Sequence, residues 1–191
     1  MFKASELKQI PECAQDKLAK CQEHSFNTIA MPHQNLLSLN ALLGKPNGDN
    51  RTVSKLPMMY RMALKSDPRV HDWEVSNKSS FDSARVGASA LSAALKRNIM
   101  SELAHWQGLH SACVFNDYEK FFDTVDVSSL LTQATVCDFQ MQSMSFALRQ
   151  HRAPRVSECP RYTSGSVSVF KRILAGCRFS TSFIRALTQP D

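Results

Sequence analysis

The stretch Val114-Phe115-Asn116-Asp117-Tyr118-Glu119-Lys120-Phe121-Phe122-Asp123-Thr124-Val125-Asp126 decides how this chain of 191 residues folds and what chemistry it carries. It continues a short apolar run, Ala112-Cys113-Val114-Phe115, which predicts a buried strand. Asn116-Asp117 closes the run, so the strand is expected to deliver a carboxylate to its C-terminal edge. Carboxylate oxygens in such a place, together with substrate phosphates, suit a hard divalent cation. The plain alternative is that the aspartate merely ends a strand or opens a turn. Phe121 and Phe122 would then be core or near-core aromatics.

Downstream of this stretch, Asp126 is placed to cap a helix running through Leu130, Leu131 and Val136. A further helix is expected over 140–150. The Val- and Ser-rich segments 152–158 and 166–171 are expected to pair as strands. A last helix is expected from Cys177 to Leu187. Upstream, Ser83 is placed to cap a long helix, with apolar residues recurring at Val86, Ala90, Leu91, Ala94, Leu95, Ile99, Leu103 and Trp106. Gly108 is its natural stop. Residues 69–82 read as irregular and polar. Pro57 opens a short helix over 57–66. Before it, two extended runs flank the turn formers Gly44-Lys45-Pro46-Asn47-Gly48-Asp49-Asn50, and Asn-Gly between such runs signals a hairpin over 38–56. Residues 1–34 are polar and helix-prone with no strong apolar face. The order of elements predicts a helix-rich α+β fold.

Composition sets the outer bounds. Hydrophobic residues make up 43% and charged residues 21%, a balance that fits one globular domain rather than a disordered chain. The formal charge of +6 suits a polyanionic partner. No apolar run approaches the roughly 18 residues that span a bilayer, and 1–9 lacks the apolar core of a secretory signal. No membrane association is expected, and the chain is read as intracellular, in nucleus or cytoplasm. The six cysteines have no CxxC spacing and are expected to be reduced. Cys13, Cys21, His24 and His33 match no common zinc pattern.

The run Asp117-Tyr118-Glu119-Lys120-Phe121-Phe122-Asp123-Thr124-Val125 resembles motif A of reverse transcriptases, especially those of non-LTR retrotransposons, where D-x-x-K-A-F-D-x-V is typical. The resemblance implies that Asp117 is the catalytic metal ligand, with the Tyr118 carbonyl as a backbone ligand beside it. Phe122 falls at the sugar gate, the ring that excludes a ribose 2′-hydroxyl. Asp123 matches a second, structural aspartate, and Phe121 replaces the usual small residue. Upstream, the run from Leu42 to Pro57 resembles the fingers hairpin of the same family, which implies that Lys45 and Arg51 hold the triphosphate. Two cations on a hairpin suit that task, since a guanidinium binds phosphate through two parallel bonds; solvated hairpin charges are the ordinary alternative. Thr52 stands where the family has proline. Downstream, Arg172-Ile173-Leu174-Ala175-Gly176-Cys177-Arg178-Phe179-Ser180 resembles motif B, a glycine turn that opens a helix beside the template and incoming base. Arg172 replaces the family's first glycine and Ala175 its glutamine, while Gly176 and Ser180 keep their places. The Ala-Gly-Cys variant is similar to copies in dinoflagellate genomes.

The resemblance covers about 40–191. It implies a partial right-hand polymerase fold, fingers plus incomplete palm, over 38–191, after a polar helical extension over 1–37. It further implies Mg2+ as cofactor, with an RNA template, a DNA primer and deoxynucleoside triphosphates as partners. Motif C, an aromatic residue followed by x-Asp-Asp, should come after motif B. No Asp-Asp pair occurs in the sequence, and 191 lies where the motif B helix would finish. The expectation is therefore a polymerase fragment cut before motif C and inactive by itself. Two other classes stay open: a non-catalytic nucleic-acid-binding remnant, and a helical interaction protein using the face from Val86 to Trp106.

Overall fold

A computed structural model describes residues 9–44, 46, 48, 50–77, 82–83, 87–114, 118, 120–159 and 161–189, with the backbone alone at 50 and 51. The fold is α+β, with eight α-helices and one four-stranded mixed sheet among the described residues. The chain forms two compact units. The first joins 1–74 to 120–191, and the second is the intervening 75–119.

In the first unit, helix α1 (Glu12–Asn27) follows Pro11 and carries Glu12 in its first turn, where a carboxylate complements the helix dipole. Its one buried residue, Phe26, packs 5.0 Å from the Phe146 ring and lies under the Arg69 guanidinium at 4.4 Å. Strands β1 (Ser38–Gly44) and β2 (Asn50–Lys55) form the expected antiparallel hairpin, in register from Leu39 opposite Lys55 to Gly44 opposite Asn50. Gly48 supplies a positive φ of 85° in the connection. Pro57 then caps α2 (Met58–Ser66), which buries Tyr60, Ala63 and Leu64 on one face.

Residues expected to be irregular instead build α3 (Arg69–Ser76). Val70 and Trp73 are spaced for one helical face, and both are buried. Asp67 anchors the start, accepting bonds from the Arg69 backbone N–H at 3.2 Å and from Ser143 Oγ at 2.5 Å. Tertiary burial of two side chains thus outweighs the polar character of the stretch.

The one-turn helix α5 (Phe121–Thr124) leads into α6 (Val127–Val136), which Asp126 caps by accepting from Ser129 N–H at 2.8 Å. Helix α7 (Met141–His151) follows as expected. Strand β3 (Arg155–Cys159) does not pair with 166–171 as a strand. It lies parallel to β1 on one side and antiparallel to the two-residue β4 (Tyr162–Thr163) on the other, giving the order β2-β1-β3-β4. From 166–171 only Val167 bridges to Arg155. Helix α8 (Ser180–Thr188) starts three residues later than expected, because 175–179 turn before entering it.

One core runs through the first unit. Phe26, Tyr60, Leu64, Trp73, Leu130, Met144, Phe146, Leu174 and Phe183 all belong to it. Phe183 is central, with ring centroids of Phe139, His151 and Phe179 at 5.8, 5.6 and 6.4 Å.

The second unit holds α4 (Ala90–Trp106). The cap is Ser89, whose Oγ accepts from Ser92 N–H at 3.0 Å, not Ser83 as the apolar spacing implied. Val86 lies outside the described residues. Gly108, at φ 71°, ends the helix: its N–H reaches His105 O and Leu109 N–H reaches Ala104 O. No α4 residue is buried, and Trp106 is 90% exposed. The strand expected at 112–115 is absent over its described part. Residues 112–114 belong to no strand, and Val114 is 80% exposed. A strand needs a hydrogen-bonded neighbour, and all four strands of the sheet come from the first unit.

Phe183→Ala should remove about 3–5 kcal/mol of stability, read as a lower urea midpoint by circular dichroism. Leu91→Ala on the exposed face of α4 should stay within about 0.5 kcal/mol of the parent.

Candidate functional site

The residues singled out by sequence fall into three groups. Asp117 and Lys45 lie outside the described residues, and Arg51 is described by backbone alone, opposite Leu43 in the hairpin register. Tyr118 belongs to the second unit and is 65% exposed. Phe122, Asp123 and Gly176 belong to the first unit, and there the structure brings the tail of one motif-like segment against the other.

Lys120, in the left-handed conformation at φ 51°, turns the chain into α5. Phe122 is half-buried against the core. Its carbonyl accepts from Ile173 N–H at 3.0 Å, although 50 residues separate the two in sequence. Next to this bond, Arg172 Nη1 lies 3.6 Å from Asp123 Oδ1. Arg155 also feels both charges: Asp123 favours its protonated form and Arg172 opposes it, while partial burial, the largest influence, lowers its pKa.

The turn that follows is fastened from several sides. Ile173, Leu174, Cys177 and Phe179 are buried. Leu174 N–H donates to His151 Nδ1 at 3.4 Å, and Ser180 Oγ donates to Leu174 O at 2.6 Å. Tyr60 Oη and Cys177 Sγ share a buried hydrogen bond of 3.1 Å that ties α2 to the turn. Burial raises the pKa of both groups, so both stay protonated at neutral pH. Gly176 has φ 88°, and a Cβ there would meet no atom of the chain within 4 Å, so the backbone conformation alone calls for glycine. Arg172 adopts φ 95°, a region that an L side chain enters at a cost of roughly 1–3 kcal/mol. Both positions where the resemblance places a glycine therefore have a backbone that favours one.

His151 is the residue that sequence reading missed. It is fully buried, Nδ1 is used by Leu174, and Nε2 has no hydrogen-bond partner among the described residues. Nδ1 accepts, so Nε2 carries the proton in the neutral ring. Burial, helped by Arg155, lowers its pKa to about 3. A signal was available: with Met144, Ala147 and Leu148, His151 completes an i, i+3, i+4, i+7 stripe on α7.

Among the described residues, no three His, Cys, Asp or Glu side chains gather as a metal site. No described helix is long and apolar enough to cross a membrane. No protein family, curated protein or solved structure matches the chain.

Arg172→Gly should raise stability by about 1 kcal/mol, because relief of the left-handed backbone exceeds the loss of an exposed ion pair worth at most about 1 kcal/mol. A higher thermal midpoint in differential scanning calorimetry checks it. Acid should weaken the fold through His151. The folded chain keeps the ring neutral down to about pH 3, whereas the unfolded chain takes up a proton near pH 6.5. The unfolded state binds more protons between these values, so stability is full above pH 6.5 and falls as pH drops toward 3. The loss is on the order of 3–5 kcal/mol. Urea titrations from pH 7 to 4 should show this slope, and His151→Gln should flatten it.

Proposed function

We propose that this chain is a fingers and partial palm portion of an RNA-directed DNA polymerase of retroelement origin. The observation that carries the reading is the adjacency of its two motif-like segments: Ile173 N–H donates to the Phe122 carbonyl, and Arg172 faces Asp123. The left-handed backbone at both 172 and 176, the two glycine positions of the resemblance, adds to it.

On this reading Phe122 is the ring beside the sugar of an incoming deoxynucleotide. Gly176 and its turn stand next to the base, and Lys45 and Arg51 on the hairpin hold the triphosphate. Partners are an RNA template and a DNA primer, in nucleus or cytoplasm. Magnesium held by Asp117 and the Tyr118 carbonyl would supply charge neutralisation for phosphoryl transfer. The described residues alone do not assemble a magnesium site. The work left to the chain's own residues is positioning and charge stabilisation of the triphosphate.

The sequence holds no Asp-Asp pair, so the 191 residues should incorporate no nucleotide in a primer-extension assay. Deoxynucleotide binding tests the reading directly. Titration of labelled dTTP in magnesium should show binding that weakens about tenfold or more in the Lys45→Ala/Arg51→Ala double variant. Phe122→Ala should narrow the preference for dTTP over UTP. Absence of binding at millimolar nucleotide, or binding indifferent to these substitutions, would sink the proposal.

A further inference from the structure

The net charge of this protein sits in one segment. Residues 149–178 hold seven of the 23 cationic side chains (Arg149, Arg152, Arg155, Arg161, Lys171, Arg172 and Arg178) and one of the 17 acidic ones, Glu158. The segment therefore carries the whole formal charge of +6, and the other residues, with 16 of each sign, are neutral. Glu158 already has a cationic partner from β2, Lys55 Nζ at 3.2 Å.

Two large rings stand exposed within the same segment. Tyr162 and Phe170 are each 75% exposed, and each adjoins a cation in sequence, Arg161 and Lys171. The sheet register gathers part of this surface. Cys159 faces Tyr162 and Arg155 faces Val167, while residues 155 and 159 point to the same side of β3. Tyr162 and Val167, both exposed, thus lie on one face at the β4 edge, beside a half-buried Arg155 whose guanidinium donates to the His151 carbonyl. The chain then runs through Phe170 and Lys171 to Arg172, close enough for its charge to act on Arg155.

A single exposed ring is ordinary on a protein surface; here two rings stand within nine residues, each beside a cation. Solvated rings beside cations suit a ligand offering phosphates and flat π faces at short, regular intervals. Duplex nucleic acid hides its base faces, whereas a single strand presents them. We infer that the β3–β4 edge and the loop leading to Arg172 form a binding surface for single-stranded nucleic acid, with Tyr162 and Phe170 stacking on bases and Arg161 and Lys171 holding flanking phosphates. The surface operates without Asp117, and the inference does not depend on the polymerase reading.

The test uses the whole chain and fluorescein-labelled 20-nucleotide mixed-sequence RNA and DNA, read by anisotropy across a salt series. Single strands should bind more tightly than the matching duplex. Tyr162→Ala and Phe170→Ala should each weaken single-strand binding by about fivefold to a hundredfold. Arg161→Ala and Lys171→Ala should each flatten the slope of log K against log salt by roughly 0.7. Circular dichroism and the urea midpoint of each variant should match the parent, since all four side chains are exposed. Asp117→Ala should bind like the parent. The inference is overturned by no binding at low salt, by equal affinity for duplex, by ring variants that bind like the parent, or by equal affinity for polyglutamate or phosphatidylserine vesicles. Nucleotide binding without single-strand binding would leave the polymerase proposal standing and remove this one; the converse would do the opposite.

Discussion

One uncharged imidazole helps fasten the turn that precedes α8 in the first unit. His151 sits at the end of α7 with no exposure to solvent, takes the Leu174 N–H on one nitrogen and lays its ring against Phe183. That arrangement exists only while Nδ1 keeps its lone pair, because a protonated ring has no acceptor. This bond is one of several that hold the turn after Leu174, with Cys177 reaching back to Tyr60 and Ser180 to Leu174. The Phe122 carbonyl meets the same segment one residue earlier. The neutral state of His151 thus keeps one of the bonds that hold the segment next to the Phe122 contact.

Local chemistry was legible where a few neighbouring residues decide the outcome. The hairpin over β1 and β2, the Asp126 cap, the glycine stop at 108 and the helix after Pro57 all depend on short-range geometry. Failures came where distant partners decide. Helix α3 has only Val70 and Trp73 to show for itself, and it forms because the core is waiting for them. The apolar run at 112–114 reads like a strand but lacks the hydrogen-bonded neighbours a strand requires. β3 found partners in β1 and β4, and periodicity contains no information about which edge a strand will meet.

The candidate site shows the same division. Gly176 and Ser180 were picked out by the resemblance alone, and at 176 the positive φ of 88° gives the glycine a physical reason. Arg172 was visible only as a departure from a pattern; the structure gives that departure a physical meaning, a side chain on backbone better suited to none. The Tyr60–Cys177 bond spans 117 positions and neither partner carries a local mark of it. Asp117, Lys45 and the Arg51 side chain lie outside what the structure describes.

The parallel pairing of β1 with β3 bears on how the chain assembles. Ser38 lies beside Arg155 and Ala41 beside Glu158, neighbours more than a hundred residues apart, with residues 75–119 between them in sequence. A hairpin such as β1–β2 closes within microseconds, but joining strands across so long a loop loses chain entropy before any contact repays it. During synthesis, β1 emerges long before its parallel neighbour exists and presents an open backbone edge in the interval. Exposed edges invite pairing with other chains, so the hazardous period for this protein is translation itself, before the ribosome has delivered residue 159.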